Sequence, residues 1–238
     1  FSVVQSVKNY FSLGDEMSDS GLMMGVITGD LYRSSTDYER GVSYIGLMEV
    51  MLEKIKKNNR LRVSDVDFFR GDSFQITSKD PINLLSIAVY IRAYLRSYSE
   101  KNDGKGMYDA RLAISIDKVN KYRRDINSIF ESAQIKSGKS LDLIENDEMM
   151  VFDSSLYDLK EIYSPSIILL DALLSMLSKP QSEILREIVY DRDASISEIA
   201  ERLGKSKQVV YKTIKRGAVD KIIKFLDAHL SLLGMRFF

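Results

Sequence analysis

The sequence predicts an α+β protein, with a mixed-sheet α/β domain followed by an all-helical domain. Two observations lead to this fold class. As far as residue 152, apolar segments with strand-like and helix-like spacing follow one another in the order β-α-β-β-α-β. After Pro165 the strand pattern stops, and the segments to Phe238 have helical spacing. We therefore divide the chain into an N-terminal extension, an α/β domain, a connector helix and a helical domain: 1–22, 23–163, 164–179 and 180–238.

The first strand is predicted within Met23–Asp30, where a short apolar run ends in Gly-Asp. The next segment, Tyr44–Lys57, has apolar residues at helical spacing. Two strand-like runs then flank Gly71-Asp72, and we expect a tight hairpin because glycine accepts the positive φ of such turns.

Pro81 marks the start of a second helix, since proline fits the first helical turn. Alternating apolar residues predict a later strand, and shorter patterns predict the rest of the domain. In order, the expected elements are a helix over Ile82–Leu95, a strand over Asp109–Asp117, a helix over Tyr122–Ala133, a short helix over Leu141–Glu145 and a strand over Met149–Phe152. An apolar helix is expected over Ile167–Leu177, as a connector or a dimer face.

Composition excludes several kinds of site. The chain of 238 residues has no cysteine, so disulfides, thiolate metal sites and cysteine nucleophiles are absent. The single histidine, His229, excludes polyhistidine metal sites, and packing is its commoner role. No apolar run reaches membrane-spanning length and residues 1–22 lack the pattern of a signal peptide, so we expect a cytoplasmic protein.

The segment Ala194–Gly217 has the pattern of a helix-turn-helix. Ser195 and Glu198 have capping-box spacing at the start of one helix, and Gly204 can end that helix in a turn. Ser206 can cap the next helix, which is expected from there to Arg216. Small Ala200, Gly204 and apolar Val210 fall at the spacing of the helix-turn-helix domains of bacterial regulators, which this segment resembles.

Charge adds a prediction of double-stranded DNA as partner. The whole chain has a net charge of zero, yet residues 204–219 contain five basic residues and no acidic one. We expect Lys207, Gln208 and Tyr211 to face bases, because the early residues of such a helix reach base edges. Phosphate contacts are expected from the other basic residues, Lys205, Lys212, Lys215 and Arg216. Ser206, which caps the helix, completes the predicted DNA-binding set. A solvated basic face on a protein-interaction module is the other interpretation.

Two Gly-Asp pairs suggest a second site. Asp30 ends the first predicted strand, and Asp72 lies at the tip of the hairpin. Two such carboxylates can converge, and oxygen ligands with phosphate co-ligands suit Mg²⁺. Spacing alone favours ordinary turn chemistry for both pairs.

Three short motifs carry a resemblance to a family. The runs Val26–Ser35, Phe69–Phe74 and Arg111–Ile116 look like those of SatD-like bacterial proteins, which are similar to the catalytic domain of class III nucleotide cyclases. The resemblance covers roughly Met23–Phe152. It implies a ferredoxin-like palm with a mixed sheet, in which Asp30 and Asp72 would bind metal ions and a nucleotide would be the ligand.

The chain departs from the cyclase pattern in the helix that carries an asparagine and, four residues on, an arginine. The run Ser137–Asp142 holds that place in the resemblance, and Asp142 with Asn146 four residues on replaces the pair. Asn120 and Arg124 have the right spacing but come too early in the chain. The missing arginine removes a charge on which phosphoryl chemistry relies. Ser137-Gly138-Lys139-Ser140 lacks the upstream glycine of a P-loop.

The sequence thus supports two hypotheses. The first is a DNA-binding transcriptional regulator whose α/β domain senses a ligand, with a nucleotide as the candidate, or dimerises. The second is a Mg²⁺-dependent nucleotide cyclase or nucleotidyl-transfer enzyme with an accessory helix-turn-helix. A homodimer is expected in the first case, because helix-turn-helix proteins commonly bind two half-sites.

Overall fold

A computed structural model shows how the chain folds. It describes residues 23–34, 38–69, 71–99, 107–118, 126–145 and 148–237. The predicted extension 1–22 lies outside the described residues, as do Asn120, Arg124 and Asn146.

The α/β domain is built on a five-stranded mixed sheet with the strand order β2-β3-β1-β4-β5. The first four strands pair antiparallel, and β5 runs parallel to β4. This order is that of a ferredoxin-like sheet extended by one parallel strand, so the predicted palm topology is confirmed. The strands are β1 (Met23–Leu31), β2 (Asp65–Phe69), β3 (Ser73–Ser78), β4 (Ala110–Lys118) and β5 (Met150–Asp153).

Eight α-helices are assigned among the described residues, four of them before the helix-turn-helix region. These four are α1 (Tyr38–Lys57), α2 (Leu84–Arg96), α3 (Ile126–Asp142) and α4 (Tyr157–Ser175). The other four are α5 (Lys179–Tyr190), α6 (Ile196–Arg202), α7 (Lys207–Arg216) and α8 (Val219–Phe237). Pro81 opens a short 3₁₀ turn ahead of α2, with Asp80 as its cap.

The two faces of the sheet differ in chemistry because side chains alternate along each strand. One row runs across the sheet through Ile76, Ile27, Ile114 and Phe152, and packs in the core with α1, α2 and α4. The next row passes through Gln75, Thr28 and Ala113 and lies under α3. Asp30 is two residues from Thr28 and therefore belongs to the second, more polar face.

Helix α3 corrects two of our predictions. We expected one helix to end at Ala133 and a short helix over Leu141–Glu145, but a single helix continues past Ala133 and ends at Asp142. Its inward residues near the sheet include Ser137, whose hydroxyl lies 2.6 Å from that of Thr28. In the sequence, the small polar residues of this segment resemble those of a loop. In the structure they allow the helix to lie close to the sheet.

Helix α4 begins earlier than predicted and contains Pro165 within its length. The helix lies against β5 and the core, and it leads after three residues into α5. Leu174 of α4, Leu185 of α5 and Ile222 of α8 belong to the same apolar core as Ile27 of the sheet. The predicted boundary between residues 163 and 180 therefore lies inside one continuous core. In the described part of the chain, no helix is long and apolar enough to cross a membrane.

Candidate functional site

Helix α6 begins at a complete capping box. The Ser195 backbone N–H donates to the Glu198 carboxylate at 2.7 Å, and the Ser195 hydroxyl accepts from the Glu198 N–H at 3.3 Å. The pKa of the Glu198 carboxyl is lowered chiefly by the hydrogen bond from the Ser195 backbone N–H and further by the Ser195 side chain. The predicted start of the first helix of the pair is thus confirmed.

The turn between α6 and α7 has the geometry of a Schellman motif. Gly204 has φ of +61°, a backbone conformation that glycine adopts without steric strain. Its N–H donates to the Glu201 carbonyl at 3.1 Å, and the Lys205 N–H donates to the Ala200 carbonyl at 2.8 Å. Ser206 then caps α7 by accepting from the Val209 N–H. This sequence of caps fixes the direction in which α7 leaves the turn.

A small apolar cluster holds α7 against its partner helices. Val210 is fully buried and lies with Ile199, Ala200 and Ile184 of α5. Half-buried Ile214 extends the contact by one helical turn. The burial of Ala200 and Val210 between these helices therefore agrees with the helix-turn-helix spacing seen in the sequence.

The opposite side of α7 is open to solvent and cationic. Tyr211 is 53% exposed, and the Lys215 ammonium lies 5.9 Å from the centre of its ring. The exposed residues of this surface, which we name the α7 face, are Lys207, Gln208, Val209, Tyr211, Lys212, Lys215 and Arg216. Among the described residues, none forms an ion pair with the four basic members of the α7 face. Their charges are therefore available to an external anion.

Lys205 differs from the other predicted basic residues. Its ammonium lies 2.7 Å from the Glu183 carboxylate of α5, and both side chains are mostly covered. Lys205 thus links the turn to α5, and a phosphate could reach its charge only in exchange for Glu183. The structure brings seven of the eight predicted DNA-binding positions to the exposed side of the turn and α7.

The sheet brings Asp30, near the end of β1, beside Asp72 in the turn that leads into β3. Asp30 pairs with Ser73 in the ladder, and the Leu31 N–H donates to the Asp72 carbonyl at 3.0 Å. The Asp72 carboxylate accepts hydrogen bonds from Ser34 at 2.7 Å and from Ser73 at 3.3 Å. The predicted proximity of the two aspartates is therefore present in the backbone.

Arg111 of β4 engages the Asp30 carboxylate through two parallel hydrogen bonds. Its Nε lies 2.9 Å from Asp30 Oδ1, and its Nη2 contacts Oδ2. The Asp30 hydrogen bond raises the pKa of the Arg111 guanidinium. Because both carboxylate oxygens already face a cation, this arrangement does not fit a magnesium ion on Asp30 unless Arg111 moves away. No cluster of three or more acidic or histidine side chains suited to a metal occurs in the described ranges.

A buried ionic network, which sequence reasoning missed, joins the α/β domain to the region of the helix-turn-helix. Arg92 of α2 is fully buried and donates to both oxygens of Asp109 at 2.9 Å and to Asp171 of α4 at 2.6 Å. Arg96 donates to Asp109 and to the carbonyls of Ser175 and Leu177 at 2.7 and 3.0 Å. We name these four charged residues, Arg92, Arg96, Asp109 and Asp171, the Arg92 network.

Burial alone would raise the pKa of the Asp109 carboxyl, but Arg92 and Arg96 outweigh it and hold that pKa below its ordinary value. The charges of this network were visible in the sequence as Arg92 inside an apolar helix and Asp171 inside an apolar run. Such isolated charges in apolar segments are the pattern that could have revealed buried ion pairs.

Comparison with known proteins gives a family match in the C-terminal part. No curated protein matches the sequence significantly. A solved structure entitled "Structure of the active GGEEF domain of a diguanylate cyclase from Vibrio cholerae" is similar with a TM-score of 0.35 and 12% identity, over 51% of this chain and 78% of that chain. The family UPF0122, described as "Putative helix-turn-helix protein, YlxM / p13 like", matches residues 163–235, which contain α5 to α7 and most of α4 and α8.

Proposed function

We propose that this protein is a DNA-binding transcriptional regulator in which α7 is the recognition helix. The observation that carries the proposal is the α7 face, a cationic helix surface whose basic side chains form no ion pair within the described ranges, in a molecule with no net charge. A helix fits the major groove of B-DNA. Basic side chains that bind phosphates release counterions from the DNA, which favours binding. The family match over 163–235 supports the same function.

The positions of the side chains along α7 suggest which of them contact bases and which contact phosphates. Lys207, Gln208 and Tyr211 lie in the first half of the helix, where side chains reach base edges. Glutamine can pair in a bidentate way with adenine, which makes Gln208 the principal candidate for sequence discrimination. Lys212, Lys215 and Arg216 lie towards the C-terminal end, where phosphate contacts are expected.

Selection from a pool of random duplex DNA tests this function. The full chain should enrich a defined sequence, and a Gln208→Ala variant should lose preference at one base position while it still binds DNA. A discriminating bidentate contact is worth roughly 1–3 kcal/mol, so enrichment at that position should fall by about fivefold or more. Recovery of random sequences by the wild-type chain would contradict a role as a sequence-specific regulator.

For the α/β domain we propose a role in sensing a ligand, with a nucleotide as the candidate. The Arg92 network supports this assignment because it connects β4 and β5 with the end of α4, immediately before α5. DNA affinity measured with and without nucleoside triphosphates would test it, and an unchanged affinity in all cases would contradict sensing of that ligand class. The enzymatic alternative gains no support from the Asp30 site, because Arg111 occupies the carboxylate.

A further inference from the structure

Helix α4 has an outward face made of apolar and small side chains. Its inward side chains, Leu159, Tyr163, Ile167, Leu170 and Leu174, are buried in the core. On the other side, Ile168 is 61% exposed, Leu169 68% and Met176, just after the helix, 80%. With exposed Pro165 and Ala172, these three residues form what we name the α4 face.

The α4 face carries no charge, although 29% of the residues in the chain are charged. Between Ile162 and Ser178 the sole charged residue is Asp171, and its carboxylate is held inside the Arg92 network. The face extends over about 16 Å from Pro165 to Met176 at the helical rise of 1.5 Å per residue. Contiguous apolar surface of this kind on a soluble protein marks an interaction site.

We propose that the α4 face is the interface through which two copies of this chain form a symmetric dimer. A two-fold axis brings each surface patch against its own copy, so charged side chains near the axis would meet like charges. An uncharged apolar face is complementary to itself. The α4 face is therefore more complementary to the same face of a second copy than to a charged surface of another protein.

The position of the face agrees with this partner. Helix α4 is separated from α5 by three residues, and Arg96 holds two carbonyls at this connection, those of Ser175 and Leu177. A dimer joined along α4 would therefore carry one α7 face on each side of its axis. This arrangement is useful only if the proposed DNA binding holds, since two recognition helices serve two half-sites.

The oligomeric state of the full chain, measured by sedimentation and light scattering without DNA, tests the interface independently of DNA binding. We expect the wild-type chain to be a dimer at micromolar concentration. Leu169→Glu places like charges at the interface and should raise the dimer dissociation constant at least 100-fold. Leu143→Glu is the matched control, because Leu143 is 78% exposed on another part of the surface, and it should leave the dimer unchanged.

A second measurement covers the case in which Leu169→Glu changes the fold. Because the chain has no cysteine, Leu169→Cys introduces a single thiol, which should form an intermolecular disulfide under mild oxidation, whereas Leu143→Cys should not. A wild-type chain that stays monomeric at every concentration would overturn the proposal, and in that case another segment or protein covers the face. A dimer that withstands Leu169→Glu, with no crosslink at Leu169→Cys, would overturn it as well.

Discussion

The Asp30 carboxylate lies on the central strand of the sheet and is held by Arg111 from the neighbouring strand. In this position the guanidinium competes with any metal ion. We therefore expect Arg111→Ala to bind Mg²⁺ more tightly than the wild-type chain, because the substitution frees both Asp30 oxygens next to Asp72. Titration calorimetry with MgCl₂ at constant ionic strength measures the difference.

The double variant Arg111→Ala/Asp30→Asn is the control for this experiment. It removes the carboxylate charge and should return magnesium affinity to the wild-type level or below. Equal affinity in the wild type and in Arg111→Ala would show that Arg111 does not limit metal binding at Asp30.

Burial of His229 predicts a dependence of stability on pH. The imidazole is 4% exposed and lies 5.0 Å from the Tyr163 ring in an edge-on arrangement, and desolvation lowers its pKa to about 4. Between pH 6.5 and 4 the unfolded state binds a proton at this residue that the folded state does not. The free energy of unfolding should therefore be unaffected above pH 6.5 and should fall by about 3 kcal/mol as the pH drops to 4.

Urea denaturation of the wild type and His229→Gln at several pH values measures this contribution. The variant should show a flatter profile between pH 6.5 and 4. The Asp109 carboxyl has a lowered pKa, so its contribution to the free energy of unfolding is lost only when the pH falls below about 3.8, the ordinary pKa of an aspartate. The effect of Asp109 therefore lies outside the range from pH 6.5 to 4. A wild-type profile as flat as that of the variant would contradict the titration of His229.

At the scale of elements, the helix-turn-helix depends on the left-handed conformation of Gly204. Gly204→Ala would meet no neighbouring atom within 4 Å, so its effect comes from the backbone alone. At φ of +61°, alanine should lower the free energy of unfolding by about 1 kcal/mol.

Gly46→Ala is the matched control because Gly46 lies within α1 and its added methyl group would also be free of contacts. Alanine favours the helical backbone there and should raise stability by roughly 0.5–1 kcal/mol. Thermal unfolding followed by circular dichroism gives both values. Shifts of the same sign would contradict the assigned turn geometry.

Local chemistry in the sequence predicted these caps and turns correctly. Ser195, Glu198, Gly204 and Ser206 act within a few residues of their own positions, so spacing alone was sufficient. Helix α3 shows where this reasoning fails. Its inward serine at position 137 lies opposite Thr28 of β1, 109 residues away, and the two hydroxyls are within hydrogen-bond distance. Local periodicity does not contain such a contact.

At the scale of the whole molecule, the Arg92 network connects the sheet with α4. Replacing Arg92 by leucine would leave Asp109 and Asp171 buried without their main partner. Loss of one member of a buried ionic cluster typically costs about 3–5 kcal/mol, and we expect a loss of this size in urea denaturation. Lys57→Ala is the control, since its pair with Glu53 is exposed and contributes less than about 1 kcal/mol. A small effect for Arg92→Leu would show that the network is not important for stability.

Contacts over long distances explain what the sequence did not reveal at this scale. The pairing of Arg111 with Asp30 depends on the register of β1 with β4, and that of Arg92 with Asp171 spans 79 residues. The order of elements predicted a mixed sheet and the family resemblance implied the palm topology, whereas these side-chain partners required the tertiary structure. The residues of the α7 face could be predicted almost completely because they depend on one local helix. The pairing of Asp30 with Arg111 could not, because it depends on two strands that are far apart in the sequence.

Salt dependence of DNA binding tests the central claim, that the α7 face binds the phosphate backbone. Fluorescence anisotropy over a range of salt concentrations should show affinity falling steeply with salt. Lys212→Ala/Lys215→Ala should weaken binding to all sequences and reduce the slope of log affinity against log salt by about two per chain. The control Lys56→Ala/Lys57→Ala on α1 removes the same charge elsewhere and should change neither quantity appreciably. Equal affinity and slope for the wild type and Lys212→Ala/Lys215→Ala would contradict the assignment of α7 as the DNA-binding helix.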